Sequence, residues 1–130
     1  GNVWEQIACL SEMVLSPEET FGKYKVKGVD LIIKRDGELY FSQIKTKQDT
    51  LTGSQLKRSR DELSVFKKSM FIAAHSLGDW TFSSHPKINR ISGTDFWDLI
   101  NLDYSEIMVH TTKTVKSIEF EMLKYFNKSK

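Results

Sequence analysis

Three polar residues in the N-terminal half of the chain have the types and spacing of a phosphate-handling site. Asp30, Gln43 and Lys45 offer a carboxylate, an amide oxygen and an ammonium group, and the Ile44 backbone carbonyl lies between the last two. Hard oxygen ligands suit Mg²⁺, which lowers the pKa of a bound water and stabilises charge developing on phosphate oxygens. We therefore expect Mg²⁺ as cofactor, with Mn²⁺ as a substitute, held by Asp30, Gln43 and the Ile44 carbonyl. Lys45 would orient or help deprotonate the attacking water, or neutralise the phosphorane.

A β-hairpin is the element that must bring these groups together. Two strand-like runs, 29–35 and 39–47, flank Asp36-Gly37, which is among the strongest short signals for a two-residue turn. If these two residues form the loop, the numbers of paired residues sum to 73 and Asp30 lies opposite Gln43. Cross-strand partners have Cβ atoms about 4.5–5.5 Å apart, and Lys45 shares their face because strand side chains alternate.

The hairpin also admits a second interpretation, in which the polar trio is solvated and has no chemical role. Ile32, Leu39 and Phe41 share the face of the trio, which predicts that this face is partly covered. A covered aspartate and lysine need partners, and a divalent cation with a phosphate would supply them.

The surrounding pattern predicts an α/β domain with the element order αβββαβ over residues 1–76. Apolar residues at helical spacing predict a first helix that Pro17 stops, and Cys9 in this pattern is expected to be buried. Thr52 and Gln55 have the spacing of a capping box for a helix with basic residues. The expected elements are helices near 3–14, 52–66, 95–100 (capped by Thr94) and 115–126, with strands at 23–27, 29–35, 39–47, 70–75, 80–83 and 106–110.

At these residues the chain resembles the PD-(D/E)xK nuclease superfamily. Lys27-Gly28-Val29-Asp30, then twelve residues, then Gln43-Ile44-Lys45 is similar to the family signature in its Gln-x-Lys variant. That variant occurs in Mrr-like restriction enzymes, some type II restriction endonucleases and one class of homing endonucleases. The resemblance implies a restriction-endonuclease-like core, a central mixed sheet flanked by helices, and cleavage of DNA, with duplex as the expected substrate.

The N-terminus extends the resemblance to a fourth catalytic position. Gly1-Asn2-Val3-Trp4-Glu5 is similar to the Gly-x-x-aromatic-Glu opening of the first helix in Mrr-like and Holliday-junction-resolvase-like members. The resemblance implies that Glu5 reaches the metal, with Glu12, seven residues later on the same predicted helical face, as a competitor. No proline precedes Asp30, and Gln43 replaces the acidic member, which leaves one fewer negative charge for metal.

Composition and charge bound the remaining possibilities. The chain of 130 residues suits one domain, with 77–130 as peripheral elements that could contact DNA or another subunit. Residues 21–70 carry 12 Lys/Arg against 6 Asp/Glu, and the rest carries 7 against 11, so the middle is basic. No membrane-spanning run or signal peptide is evident, which predicts an intracellular, cytoplasmic or nucleoid-associated protein. Phosphate contacts are expected from Lys47, Lys57, Arg58 and Arg60.

Two further expectations concern assembly and the alternative function. Because cutting both strands needs two sites, we expect a homodimer or higher oligomer, with the aromatic segment from Trp80 to Trp97 as a candidate interface. The alternatives are a catalytically inactive, nuclease-like DNA-binding or assembly module, and a junction resolvase with the same chemistry.

Overall fold

The protein is described by a computed structural model that covers residues 2–22, 26–49 and 51–109. Its elements alternate between helices and the strands of one sheet, and residues 104–109 form a further helical segment. Their bounds are α1 Asn2–Ala8, β1 Val14–Leu15, α2 Pro17–Phe21, β2 Leu31–Arg35, β3 Glu38–Lys45, α3 Ser54–Ser64, β4 Ser69–Ala73, β5 Ile88–Ser92 and α4 Gly93–Leu99.

One five-stranded mixed sheet organises the described residues, with the strands in the order β1-β2-β3-β4-β5. β2 is antiparallel to both of its neighbours, β1 and β3, while β3, β4 and β5 are mutually parallel. The β2–β3 hairpin has the predicted register, in which Arg35 lies opposite Glu38. Asp36 and Gly37 have φ angles of 53° and 77°, as a type I′ turn requires. The predicted turn and register are therefore confirmed for the pairs from Leu31–Ser42 to Arg35–Glu38, whereas Asp30 and Gln43 lie just beyond the ladder and are not paired in it.

Helices cover both faces of the sheet. On one face, Ala8 of α1 and Phe96 and Trp97 of α4 join a core cluster with the apolar side chains of β2, β3 and β4. On the other face, Leu63 of α3 packs in a second cluster with Phe71 of β4. β4 is buried along its whole length because α3 and α4 lie on opposite sides of it. The prediction of an α/β fold with a mixed sheet flanked by helices is confirmed.

The first helix is shorter than the apolar spacing predicts. α1 ends at Ala8, so Leu10 is 77% exposed, and Val14 belongs to a short strand that pairs with β2. Pro17 begins α2 instead of only stopping α1, as its fixed φ and missing N–H allow at a first helical position. The prediction that Cys9 is buried is wrong, because it follows the helix end and is exposed.

Several element boundaries after residue 50 differ from the predicted ones. The helix predicted from Thr52 begins at Ser54 with Gly53 as its N-cap and no side-chain cap, and Ser92 replaces Thr94 at the start of α4. The strand predicted at 80–83 is absent from the described residues, which instead place β5 at Ile88–Ser92. The strand predicted at 106–110 is wrong over its described part, because 104–109 are helical. Of the strand predicted at 23–27, residues 26–27 are not part of a strand and 23–25 lie outside the described residues, as does the terminal helix predicted at 115–126.

The segment expected to be peripheral supplies much of the core. Phe82, Phe96 and Trp97 have no exposed surface, and the Trp97 indole N–H donates to the Ala74 carbonyl at 3.0 Å. These three side chains are therefore unavailable to a subunit contact, whereas Trp80 is partly exposed, and an interface along the segment from Trp80 to Trp97 stays a prediction. No helix in the described ranges is long and apolar enough to cross a membrane.

Candidate active site

The hairpin ladder opens at Asp30, and this opening creates the site. The Asp30 N–H donates to the Ser42 carbonyl at 2.9 Å, which is the last backbone bond on this side before the chain leaves the sheet. The next donor on β3, the Ile44 N–H, donates to Asp30 Oδ2 at 3.0 Å. The carboxylate thus takes the place of a backbone partner, which holds it beside Gln43, Ile44 and Lys45.

The same hydrogen bond fixes the direction of the Ile44 carbonyl. The N–H and C=O of one strand residue point to the same side of the strand. Because the Ile44 N–H points at Asp30, the Ile44 carbonyl also lies on the side of β3 that faces Asp30. Gln43 and Lys45 pair instead with Phe71 and Ala73 of β4, so their backbones belong to the parallel ladder. The predicted carbonyl ligand is therefore on the correct side of its strand.

A pocket of about 340 Å³ collects the three predicted residues under α3. Gln43 is only 4% exposed and lines this pocket, and no buried side-chain nitrogen or oxygen of the described residues lacks a hydrogen-bond partner. The pocket is lined by Lys27, Gly28, Asp30, Gln43, Lys45, Leu51, Gln55, Arg58, Ser59 and Glu62.

Aromatic side chains cover the rest of the same sheet face. Phe41 stacks on Phe66 with ring centroids 4.3 Å apart and on Phe21 at 5.9 Å, and Ile32 is fully buried. Apolar groups and α3 therefore cover the sheet face beside the polar trio, and the interpretation of a freely solvated face is wrong for Gln43, whereas Asp30 and Lys45 are partly exposed.

Comparison with protein-family models, with curated proteins and with solved structures found no match. The assignment of the site thus depends on its own residues and geometry.

Glu5 of α1 lies close enough to the trio to interact with it electrostatically. Burial raises the pKa of the Glu5 carboxyl, the charge of Asp30 raises it further, and Lys45 opposes the rise. The half-buried side chain of Glu5 therefore lies near Asp30 and Lys45, as the resemblance implied. Glu12 is exposed in a turn after α1 has ended, so the argument that placed it on the same helical face as Glu5 is wrong.

Replacing Glu5 with glutamine should stabilise the metal-free protein slightly at neutral pH. A carboxyl whose folded pKa lies above its ordinary value of 4.5 favours folding at low pH, and that advantage is lost as pH rises from 4.5 through the folded value. Glu5→Gln removes the unfavourable charge, so the melting temperature should rise and its decrease over this pH range should become smaller. Thermal melts with and without Mg²⁺ check this, and Mg²⁺ should stabilise the variant less than the wild type. Glu12→Gln is the control and should change neither quantity; an equal effect of both variants would contradict the placement of Glu5.

The four predicted phosphate-binding residues divide among three places. Arg58 lines the pocket and pairs with Glu62 of the next helical turn at 4.0 Å. Lys57 and Arg60 project from another side of α3 into a separate groove. Lys47 lies just after β3, where its ammonium group is 3.6 Å from Asp49. The structure therefore brings only Arg58 of the four to the pocket itself.

Two charged residues of the pocket were not predicted from the sequence. Glu62 has 18% of its side chain exposed, and Lys27 lies across the pocket in the approach to Asp30. Gly28, which follows Lys27 in the chain, has a φ of 82°, and a Cβ at this position would overlap the Glu62 side chain. Glycine is therefore required by both the backbone conformation and the close approach of α3. The spacing of Arg58 and Glu62 at i and i+4 was the available signal, since both lie on the face of Gln55.

The donor set determines which metal the pocket suits. The described residues contain no cluster of three His, Cys, Asp or Glu side chains arranged to hold a metal ion. Zinc, which is bound mainly through such side chains, is therefore a poor fit to this part of the chain. Mg²⁺ differs because it keeps several waters and binds through one or two carboxylates together with substrate phosphate. Asp30, the Gln43 amide and the Ile44 carbonyl fit that pattern, and substrate would complete the ligand set.

Proposed function

We propose that this protein is a Mg²⁺-dependent endonuclease that hydrolyses phosphodiester bonds in DNA. The observation that carries the proposal is that Asp30, Gln43 and Lys45 line one pocket. The Asp30 carboxylate accepts a hydrogen bond from the N–H of Ile44, which lies between Gln43 and Lys45. A merely structural hairpin needs neither a nearly buried glutamine that lines a cavity nor a carboxylate in place of a ladder partner.

The order of elements supports a restriction-endonuclease-like core. An N-terminal helix is followed by three antiparallel strands, then by a helix that crosses over to a parallel fourth strand. This sequence corresponds to the αβββαβ arrangement that the resemblance implies, with the first strand at Val14–Leu15 and α2 as an added element. The specific nuclease core is part of the proposal.

The charges of the pocket suit a phosphodiester. Its lining has three cations, Lys27, Lys45 and Arg58, against the carboxylates of Asp30 and Glu62. A bound Mg²⁺ would supply Lewis-acid stabilisation and a more acidic water. The protein contributes oxygen ligands from Asp30, Gln43 and Ile44, while Glu5 adds a carboxylate nearby. Lys45 would orient the attacking water or neutralise charge on the phosphate.

The proposal extends to substrate and assembly. Duplex DNA is the expected substrate, and cleavage of both strands would need two copies of the site, which favours a homodimer or higher oligomer. Restriction or homing endonuclease activity is the leading role, a junction resolvase would use the same chemistry on a branched substrate, and an intracellular, nucleoid-associated location fits both.

One observation favours an inactive, nuclease-like DNA-binding or assembly module as the second candidate. Gln43 is neutral where the family signature has an acid, and the described residues provide no three-acid metal cluster. Fewer negative ligands weaken metal binding, and a site without metal would retain only its basic pocket.

Incubation with supercoiled plasmid and with a four-way junction, in Mg²⁺ and in EDTA, separates these candidates. A nuclease converts plasmid to nicked or linear forms only in Mg²⁺, and a resolvase prefers the junction. Binding of DNA without cleavage in either Mg²⁺ or Mn²⁺ would instead support the inactive module.

A further inference from the structure

A second cavity, called here the outer groove, lies beside α3 and is separate from the active-site pocket. Its volume is about 510 Å³, and it is bounded by α3 and by residues 81–85 of the connection between β4 and β5. Positions 55, 58, 59 and 62 of α3 line the pocket, whereas 56, 57, 60, 61 and 64 line the outer groove. This spacing of three and four places the two cavities on different sides of one helix.

Groups that donate hydrogen bonds to anions line the outer groove. Lys57 and Arg60 contribute positive charge, and the Arg60 Nη1 donates to Ser83 Oγ at 2.5 Å. A guanidinium has five N–H donors in a planar fork, so this bond leaves the fork able to bind a phosphate. His85 Nδ1 accepts the Lys87 N–H at 3.1 Å, which places the proton of the neutral ring on Nε2 as a further donor.

One carboxylate opposes this charge. Asp61 is exposed on the same side of α3 and also lines the outer groove. The charges of Lys57, Arg60 and Asp61 together give the outer groove one net positive charge, with His85 taken as neutral. The Asp61 charge therefore weakens anion binding, and its removal should strengthen it.

We propose that the outer groove binds a backbone phosphate of the nucleic acid whose scissile phosphate lies in the active-site pocket. This inference rests on the proposed function, since it assigns the second contact of the same substrate. A helix with its side chains is about 10–12 Å across. One DNA strand carries a phosphate at every nucleotide, so two phosphates of the same strand a few nucleotides apart can reach both cavities. The substrate strand then crosses α3, with Arg58 on one side and Lys57 and Arg60 on the other.

Fluorescence anisotropy with a labelled 20-base-pair duplex tests the groove, in Ca²⁺ in place of Mg²⁺ and over a series of salt concentrations. Lys57→Gln with Arg60→Gln should lower the affinity roughly tenfold, as for two charge-assisted contacts, and should reduce the salt slope by up to about 1.8. Lys34→Gln with Arg35→Gln is the matched control. It removes the same charge from exposed positions at the far end of β2 and should have a much smaller effect.

The variant Asp61→Asn is expected to change the affinity for DNA in the opposite direction, so a loss of stability cannot account for its effect. It should raise the affinity for the duplex, because it removes the only carboxylate in the described lining of the groove. An equal loss in the groove pair and the control pair, or an unchanged affinity for Asp61→Asn, would overturn the proposal. A wild type that binds DNA in this pattern without cutting it would refute the nuclease function while leaving the groove intact. A wild type that binds no DNA would overturn both.

Discussion

Replacing Lys45 or Asp30 with alanine is expected to lower the rate of DNA cleavage by roughly a hundredfold or more, the scale of losing a catalytic group. Lys45 lines the pocket and is the residue proposed to orient the attacking water. Asp30 also lines the pocket, and its carboxylate accepts the hydrogen bond from the Ile44 N–H. Single-turnover cleavage of a labelled duplex measures the effect. Affinity for the same duplex in Ca²⁺ should change much less than the rate for Lys45→Ala.

The matched control for this prediction is Lys34→Ala, which removes a lysine from an exposed position of the same hairpin. It should cut at nearly the wild-type rate. Cleavage by Lys45→Ala at a rate similar to that of Lys34→Ala would contradict the assignment of Lys45. Loss of cleavage accompanied by an equal loss of DNA affinity would assign Lys45 to substrate binding instead.

Replacing Gln43 should separate metal binding from folding. Gln43→Leu removes the amide oxygen while keeping a similar volume, so the variant should still fold. The Mg²⁺ concentration that it needs for half-maximal cleavage should rise by at least roughly tenfold. Gln43→Glu restores the acidic residue of the family signature. It should bind Mg²⁺ at least as tightly as the wild type, and its turnover would fall if metal or product leaves too slowly.

The buried position of Gln43 gives this pair a second readout. Gln43 lies on the central strand of the five and is 4% exposed, so a glutamate there is a nearly buried charge beside Asp30. Gln43→Glu should therefore lower the melting temperature without metal, and Mg²⁺ should restore it. A Gln43→Leu variant with unchanged rate and metal dependence would show that Gln43 is not a ligand.

The hairpin could be predicted from sequence because its signals are local. Asp36-Gly37 favours positive φ at both turn positions, and a two-residue loop fixes every pair of the ladder. That register ends at Leu31 with Ser42, which leaves Asp30 and Gln43 as the next residues beyond the paired ones. α3 and β4 were also predicted, since the helix has an apolar stripe and β4 is a continuous apolar run between turns.

The missed elements lacked such local signals. Val14 continues the helical spacing of Val3, Ile7 and Leu10, yet it pairs with Ile33 because tertiary contact with β2 outweighs a short apolar pattern. β5 has exposed residues in its middle, so its sequence resembles a polar loop. Residues 107–109 are apolar and short enough to suggest a strand, a case in which periodicity alone does not separate strand from helix.

The unpredicted part of the site depends on long-range packing. Glu62 and Arg58 reach the pocket only because α3 crosses over the sheet between β3 and β4, and no local pattern fixes where a crossover helix rests. Gly28 shows the same dependence, since the side chain it leaves room for lies 34 positions away in the chain. The polar trio was therefore predictable, whereas the helix side of the pocket required the fold.

The most direct test of the account compares the wild type with Asp30→Asn on supercoiled plasmid, each with Mg²⁺ and with EDTA. Asparagine keeps the size of aspartate and removes the charge that would hold the metal. The account predicts that the wild type cuts the plasmid in Mg²⁺ but not in EDTA, and that Asp30→Asn leaves it intact in both at the same enzyme concentration. A wild type that never cuts, or an Asp30→Asn protein that cuts as fast as the wild type, would contradict it.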